Sequence, residues 1–369
     1  MMRFPLILLL FFLFGTAAHG QTLILSELCN MPSQVLETSG LENGTDGCFW
    51  THNDSGNAPE LFCIDTTGVI QRQVQIIGDA NTDWEDLAKD NDGNMFIGNF
   101  GNNALNRTDL RIVKVPSIDT CTSSAFVTDT IRFSYPDQYD FPPEGDYGNF
   151  DMEAMVWYQD SLHLFSKDRS NPSTGYCKHY KLPSTGGDYV AELVDSLYTG
   201  SSSFVFSVTS ADLSENNSEL VLLNSERIWL CTNFTGSDFF DGDVAELVLG
   251  TLTQKEGICF RNGFMYVTDE DGFVPGGKLY RLHPDVFVGV GELSMDMNLQ
   301  PVYNQEFQLQ EIGVLNQQVK WQLINLDGKL VKTGTSFSSI SATEFQGLQG
   351  MHVLKISSDS GQKAMLLKL

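Results

Sequence analysis

The chain has 369 residues, a formal net charge of −25 at pH 7 and a sequence pI of about 4.4. A chain this acidic is repelled by phosphate backbones and by anionic lipid, which argues against nucleic acid and anionic membrane surfaces as partners. Apolar residues make up 41% of the chain and aromatic residues 11%, enough for a globular core.

Residues 1–20 have the composition of a signal peptide. Arg3 precedes an apolar run from Leu6 to Phe14, and the segment ends with the small residues of Ala18-His-Gly20. The run is too short to span a membrane, and no later run is long enough to do so. We therefore expect a mature protein that begins at Gln21, has no membrane span and is secreted or displayed at the cell surface.

A short pattern recurs five times between residues 36 and 284. Eleven positions after its first residue comes an apolar position typical of a strand, then a polar tip, and then a second apolar run. Units of about 50 residues built from short strands are typical of β-propeller blades. The five copies begin with Ser39-Gly-Leu41, Glu85-Asp-Leu87, Glu153-Ala-Met155, Ala211-Asp-Leu213 and Glu256-Gly-Ile258.

The predicted fold is all-β, with a propeller over residues 21–290 followed by a small β-sandwich domain. Five blades account for the visible repeats, and six is the alternative if the stretch from Ser117 to Asn149 contains a degenerate unit. The last repeat lacks an evident fourth strand. The isolated strand Thr22–Leu28 can supply it, which would close the ring and leave no open edge.

The seven cysteines permit disulfides in an exported chain, and the odd count leaves at least one thiol unpaired. Cys48 and Cys63 lie symmetrically about the first hairpin tip, which places them opposite one another on antiparallel strands. We expect these two to form a disulfide, with two small buried residues as the alternative.

Blade geometry predicts where polar residues meet. Neighbouring strands alternate in direction, so the loop that enters the first strand and the loop between the second and third strands open on the same face. Glu85, Glu153 and Glu256 occupy the same repeat position and should converge with the polar tips at one mouth of the channel, where propellers bind ligands. The alternative is that these acidic residues are solvated turn formers.

From about residue 295 the repeat gives way to a different pattern. A strand from Val319 to Leu326, the turn Asp327-Gly328 and the strand Lys329–Lys332 indicate a hairpin. With Leu348–Ile356 and Lys363–Leu369, residues 295–369 resemble the C-terminal sorting domain of the type IX secretion system of Bacteroidota. That resemblance implies export through the type IX machinery, although Gln300-Pro-Val-Tyr303 and Met351-His352 depart from the family pattern.

Three propeller segments also resemble known families. Trp50–Gly56, Asp83–Ala88 and Gly98–Asn103 are similar to a class of exported bacterial propellers and, more distantly, to calcium-dependent propellers of the lactonase/paraoxonase and phytase-like groups. The resemblance implies a central Ca²⁺ held by carboxylate and amide oxygens, the hard ligands that calcium prefers. The matching residues of this chain are Glu85, Glu153, Glu256, Asn53, Asn99, Asn224 and Asp269. The fourth repeat departs from the pattern, with Ala211 in place of glutamate.

Two functions remain open. One is a metal-dependent hydrolase of small esters, lactones or phosphoesters, with His52 or Asp54 as general base. The other is a non-catalytic module that binds a glycan, a peptide or a protein partner, with Trp50, Trp84 and Trp157 as a stacking platform, although aromatics between blades are more often core residues. The chain has no G-x-S-x-G motif to support nucleophilic catalysis.

Overall fold

The computed structural model describes residues 25–143, 148–200, 207–271 and 275–282, together with seven strands between residues 300 and 368. The predicted signal peptide, residues 1–20, lies outside the described residues. Among those described, regular structure is almost entirely β, with one short 3-10 helix at Ile118–Thr120.

Five sheets form the five blades of a propeller, which confirms the predicted fold class. Blade 1 comprises β2 (Thr38–Asn43), β3 (Phe49–Asn53), β4 (Glu60–Ile64), β5 (Ile70–Ile77) and β9 (Ser124–Phe126). Blade 2 comprises β6 (Trp84–Lys89), β7 (Met95–Asn99), β8 (Arg111–Val115), β10 (Asp129–Ser134) and β14 (Gly187–Val190). Blade 3 comprises β11 (Asp151–Tyr158), β12 (Ser161–Lys167), β13 (Tyr176–Pro183) and β15 (Glu192–Tyr198).

Blade 4 comprises β16 (Ser210–Leu213), β17 (Glu219–Leu223), β18 (Arg227–Thr232) and β19 (Asp243–Val248). Blade 5 comprises β20 (Lys255–Arg261), β21 (Phe264–Asp269), β22 (Lys278–Leu282) and β1 (Ser26–Asn30). The stretch from Ser117 to Asn149, whose residues 144–147 lie outside the description, contributes β9 and β10 to the outer parts of blades 1 and 2. It forms no sixth blade in its described parts.

The ring closes through the amino-terminal strand, as the sequence predicted. β1 pairs antiparallel with β22, so that Ser26 lies opposite Arg281 and Asn30 opposite Lys278. The strand begins four residues later than the predicted Thr22, and residues 22–24 are not described. Innermost strands β2, β6, β11, β16 and β20 contact one another in that order around the channel, and β20 contacts β2.

The recurring motif lies on these innermost strands. Leu41, Leu87, Met155, Leu213 and Ile258 are all buried in the propeller core. The glutamates sit at a register shift of the same strands: between Trp84 and Leu87, between Met152 and Ala154, and between Lys255 and Gly257. The fourth blade, which lacks the glutamate, keeps a continuous register.

Two carboxylates, the buried Asp86 and the half-buried Asp212, connect the innermost strands across the channel. Asp86 accepts hydrogen bonds from the backbone N–H groups of Met155 at 2.9 Å and Ala211 at 3.3 Å, which belong to blades 3 and 4. Asp212 accepts one from the N–H of Phe260 of blade 5 at 2.6 Å. Adjacent blades share no backbone ladder at the axis, so these side chains satisfy amides that would otherwise be buried without a partner.

The predicted disulfide between Cys48 and Cys63 is present, with a Cα–Cα separation of 5.5 Å. The register differs from the symmetric one expected, because Cys63 lies opposite Trp50 and Cys48 precedes the strand. The bond therefore links a strand residue to the loop that enters β3.

The carboxyl-terminal strands form two further sheets. β25 (Val319–Asn325) pairs with β26 (Leu330–Ser336) in the predicted hairpin, whose turn at residues 326–329 is not described. The same sheet contains β28 (Met351–Ser358) and β29 (Gly361–Lys368). A second sheet contains β23 (Gln300–Tyr303), β24 (Leu309–Gly313) and β27 (Ser339–Ser341). Within the described part of the chain, no helix is long and apolar enough to cross a membrane.

Candidate functional site

A pocket of about 300 Å³, lined in its described part mainly by polar and charged residues, opens where the channel meets one face of the propeller. Its walls come from the loops and bulges that begin the innermost strands and from the tips between the second and third strands, the convergence that blade geometry predicted. The described lining residues are Ser39, Asp54, Glu85, Asn103, Glu153, Lys167, Arg169, Ser207, Thr209, Ser225, Leu252, Thr253, Gln254, Glu256 and Glu270.

Local irregularity of the strands directs the three recurring glutamates into this pocket. Glu85, Glu153 and Glu256 each lie at the extra residue of the register shifts described above. A β-bulge of this kind turns a side chain away from the regular alternation and is common beside functional sites. The bulges therefore place three carboxylates together, and each is at least nine-tenths buried.

The tightest carboxylate group is Asp54, Asp83 and Glu85, whose carboxylate oxygens lie within 4.8 Å of one another. No donor or cation among the described residues contacts the Glu85 carboxylate. Burial, together with the charges of Glu153 and Asp54, raises the pKa of Glu85 well above its usual range. Burial also raises the pKa of Asp54 and that of Asp83.

Gly101 makes room for this group. A Cβ atom at Gly101 would overlap the Glu85 carboxylate and would come within 2.7 Å of the Asp83 carboxyl carbon. The backbone O of Gly101 accepts a hydrogen bond from Arg107 at 2.7 Å, and its N–H donates to Asp83 O at 3.2 Å, so the backbone is fixed in place. Only glycine fits this position without moving the carboxylates.

Glu153 is neutralised by cations of the protein itself. Its Oε1 lies 3.0 Å from Lys167 Nζ and 3.3 Å from Arg169 Nη2, and Arg169 Nε also donates to Asp151 at 2.6 Å. Burial acts to lower the pKa of Lys167, but attraction to Glu153, Glu256 and Asp151 outweighs it and raises the pKa overall. Burial, then the charge of Glu153, raises the pKa of Asp151 to about 7.

Glu256 and Glu270 form the third part of the site. Gln254 Nε2 donates to Glu270, and the Glu270 N–H donates to Gln254 O at 2.8 Å. Burial raises the pKa of Glu256 to about 7, and burial followed by the Glu256 charge raises the pKa of Glu270 to about 9. Burial and the charge of Glu256 therefore favour a protonated Glu270 near neutral pH.

The amide ligands predicted for blades 1 and 2 are engaged elsewhere. Asn53 donates to Gln34 O at 2.8 Å and accepts from the N–H of Glu37 at 3.3 Å. Asn99 donates to Asp79 at 2.8 Å and accepts from Arg107 at 3.2 Å. Neither side chain lines the pocket.

The predicted ligands in the tips of blades 4 and 5 are also engaged in local hydrogen bonds. Asn224 Oδ1 accepts the N–H groups of Glu226 at 2.9 Å and Arg227 at 2.7 Å. Asp269 accepts the Lys278 N–H at 2.8 Å and the Tyr280 hydroxyl at 2.9 Å. These residues shape their tips, while the following residues, Ser225 and Glu270, line the pocket.

His52 lies between blades rather than in the pocket. Its Nδ1 is 3.0 Å from Asn53 O, its ring packs edge-on against Trp84, and burial lowers its pKa to about 4. A neutral, buried imidazole that does not line the pocket cannot take a proton from a bound ligand there. Asp54, the other predicted general base, does line the pocket, but within the Asp54–Asp83–Glu85 group.

The sequence reasoning missed Asp83, Lys167, Arg169 and Glu270 as site residues. All four stand inside or beside the motifs already recognised, and Lys167, Arg169 and Glu270 belong to predicted tips. The position of each tip in the repeat, rather than the type of its residues, could therefore have identified them as site residues. The tryptophans are not a platform: Trp50 and Trp84 are fully buried, and Trp157 packs against the core.

No protein-family model matches the chain, and no curated protein matches it. Solved structures with a similar arrangement include an aldose sugar dehydrogenase of Streptomyces coelicolor in its PQQ-bound form, at 11% identity and a TM-score of 0.44, covering 72% of this chain and 98% of that one. A nidogen/laminin complex gives 13% identity and a TM-score of 0.37, covering 63% of this chain and 72% of that one. A streptogramin B lyase gives 15% identity and a TM-score of 0.35, covering 94% of this chain and 97% of that one.

Proposed function

We propose that this pocket is the site of a divalent-cation-dependent hydrolase acting on small esters, lactones or phosphoesters. The observation that carries the proposal is the Glu85 carboxylate. It is buried, lines the pocket and has no donor or cation partner among the described residues, while two further carboxylates lie within 4.8 Å. Carboxylates this close together in a largely buried site repel one another when they are ionised, and a bound cation offsets that repulsion.

The donor set fits a hard cation such as Ca²⁺. Asp54, Asp83 and Glu85 would hold it through carboxylate oxygens, and the clearance at Gly101 lets two of them approach from one side. The cation would polarise a carbonyl or phosphoryl oxygen of the substrate. Lys167 and Arg169 already neutralise Glu153, so we assign Glu153 to positioning these two cations rather than to the metal.

The remaining groups suit proton transfer. Glu256 and Glu270 line the pocket, and their raised pKa values allow one to accept a proton while the other donates one near neutral pH. In ester hydrolysis, the ionised carboxylate of the pair would take a proton from the attacking water, and the protonated carboxyl would give one to the leaving oxygen. The ring of buried strands beneath the pocket holds both groups in place.

A melting experiment tests the cation. A ligand that binds only the folded state stabilises it by about 2.7 kcal/mol at a hundredfold excess over Kd. Millimolar Ca²⁺ should therefore raise the melting temperature of the mature protein by several degrees, and EDTA should reverse the gain. Glu85→Gln should abolish the response, whereas Glu192→Gln, at an exposed site on β15, should keep it.

Turnover is measured on a panel of chromogenic esters, lactones and phosphoesters, with and without Ca²⁺. Calcium-dependent hydrolysis that Glu85→Gln removes supports the proposal. A melting temperature that is equal in Ca²⁺ and EDTA, with no hydrolysis, would overturn it. The second candidate, a non-catalytic module for a glycan, peptide or protein partner, would then lead, although the burial of Trp50 and Trp84 removes its predicted platform.

We also propose that residues 295–369 act as a type IX export address. The proposal rests on the resemblance of Leu326-Asp-Gly-Lys329 and Leu348–Ile356 to that sorting domain. It is supported by the antiparallel sheet in which β25 pairs with both β26 and β28. On this proposal the working part of the secreted protein is the propeller, and its partner during export is the type IX machinery.

A further inference from the structure

Among the described residues that line the pocket, one has an apolar side chain. Leu252 is 47% exposed and lines the cavity, whereas every other described lining residue has a polar or charged side chain. The described part of the chain has other exposed apolar residues, but none of them lines this pocket. An isolated exposed leucine is ordinary on a protein surface, so its significance depends on how it is held.

The loop that carries Leu252, residues 249–254 between β19 and β20, is fastened at both ends. Leu249 is fully buried, and its N–H donates to Glu226 O at 2.7 Å. Gly250 adopts a φ of 53°, in the left-handed region that favours glycine. The Thr253 N–H donates to Ser225 O at 3.3 Å, which ties the far end of the loop to the tip of blade 4.

A buried lysine secures the middle of the same loop. Lys255 is fully buried, and its Nζ donates to Ser225 O at 2.8 Å, Thr251 O at 2.9 Å and Thr253 Oγ1 at 2.9 Å. Two of the three ammonium donors therefore bind the residues on either side of Leu252, and the third binds the tip of blade 4. These hydrogen bonds hold the loop on both sides of Leu252, and a contact that is held in place before binding loses little entropy when a ligand binds.

We propose that Leu252 is a specificity-determining contact, and that the substrate is a carboxylic ester or lactone with a short alkyl chain beside its carbonyl. The inference rests on the proposed hydrolytic function and names the substrate class of that site. The carbonyl would face the carboxylates and the cation, while the alkyl chain would lie against Leu252 at the rim. The favoured substrates are therefore amphipathic, and phosphate monoesters without an apolar group are poor ones.

Substrate chain length tests the inference. Fully burying one CH₂ group is worth about a fourfold change in an equilibrium constant. From acetyl to butanoyl esters of one chromogenic alcohol, kcat/KM should rise about fivefold to tenfold, and it should level off at longer chains because a single side chain provides the contact. Leu252→Ser should remove the rise, so that kcat/KM for the butanoyl ester falls to within about twofold of the value for the acetyl ester of the same variant. Leu252→Met, which stays apolar, should keep it.

Binding is measured separately so that turnover is not the only readout. Acetamide, butanamide and hexanamide are neutral probes, and calorimetric titration in Ca²⁺ gives their affinities for the mature protein. Leu193→Ser is the matched control, because Leu193 is 43% exposed on β15 and does not line the pocket. Tighter binding of the longer amides by the wild type, Leu252→Met and Leu193→Ser, and its loss in Leu252→Ser, supports the inference.

The two proposals fail in different ways. The same chain-length dependence in Leu252→Ser as in the wild type, or none in the wild type, overturns the role of Leu252 whether or not esters are hydrolysed. Chain-length-dependent amide binding that requires Leu252, without hydrolysis of any ester or lactone, keeps the apolar contact and overturns the hydrolytic function.

Discussion

At the scale of single residues, the pocket depends on the space left by a missing side chain, at Gly101. Gly101 contributes no side chain, yet the space above its Cα is occupied by the carboxylates of Glu85 and Asp83. The position matters for the proposed cation site because any Cβ would displace those two carboxylates. It does not require a left-handed backbone, so the constraint is steric.

Gly101→Ala should weaken the response to Ca²⁺ while leaving the fold largely intact. The added methyl displaces Glu85 or Asp83, so we expect a loss of about tenfold or more in affinity for the cation. Isothermal titration with Ca²⁺ measures it. Ser196→Ala, at an exposed position on β15 that does not line the pocket, is a control for alanine substitution in general. Unchanged affinity in Gly101→Ala would contradict the assignment of this group as the cation site.

Glu270 gives a second prediction, on pH. Its pKa is raised from 4.5 to about 9 by burial and then by Glu256, so the cation-free folded state holds a proton that the unfolded chain releases. This contribution to stability is complete below about pH 4.5 and is lost as the pH rises towards about 9. Glu270→Gln lacks the dependence, so its stability relative to the wild type should increase with pH, by up to about 1.4 kcal/mol per unit.

Urea unfolding in EDTA at several pH values between about 5 and about 9 measures this difference. Glu192→Gln should follow the wild type throughout. A constant difference between Glu270→Gln and the wild type across this range would show that Glu270 ionises normally in the folded protein.

At the scale of elements, the sequence predicted more of the fold than of the site. The five motifs predicted five innermost strands, because their apolar positions must face the core and recur at a constant offset. The bulges at Glu85, Glu153 and Glu256 could not be read from that pattern, since a bulge adds one residue without changing composition. For this reason the convergence of the glutamates was predicted, but not that Glu85 would join Asp54 and Asp83, that Glu153 would be ion-paired, and that Glu256 would lie beside Glu270.

The tips show the same limit. Asn53, Asn99, Asn224 and Asp269 have the oxygens of metal ligands, but short amide and carboxylate side chains also satisfy nearby backbone and side-chain groups. In the structure all four side chains accept hydrogen bonds from nearby protein groups. Whether such a side chain binds a metal or a nearby protein group depends on the backbone conformation of its tip, which cannot be read from a single sequence.

Asp86 gives the prediction at this scale. Its carboxylate joins blade 2 to blades 3 and 4 through buried N–H groups of Met155 and Ala211. Asp86→Ala leaves these donors without a partner, and we expect a loss of about 3 kcal/mol of unfolding free energy. Asp86→Asn, which keeps one acceptor oxygen, should lose less. Asp188→Ala, at an exposed position on β14, should be close to neutral, and an equally small effect of Asp86→Ala would refute a role in joining the blades.

At the scale of the whole molecule, the propeller and the carboxyl-terminal strands have separate predicted tasks. Deleting residues 295–369 removes the proposed export address and none of the five blades. The truncated protein should therefore fold, keep its Ca²⁺ response and remain in the periplasm. Cell fractionation with immunodetection measures the location, and circular dichroism of the purified protein measures the fold. Normal secretion of the truncated chain would argue against the sorting role.

The pairing of β1 with β22 has a mechanical consequence. Ser26 lies opposite Arg281, so the two chain segments that leave the propeller there do so from the same end of one antiparallel pair. A force that pulls these segments apart loads the interstrand hydrogen bonds one after another, as in a zipper, rather than all together in shear. We therefore expect the closed ring to resist heat. We expect it to open at a modest force when that force is applied through the chain segments next to Ser26 and Arg281.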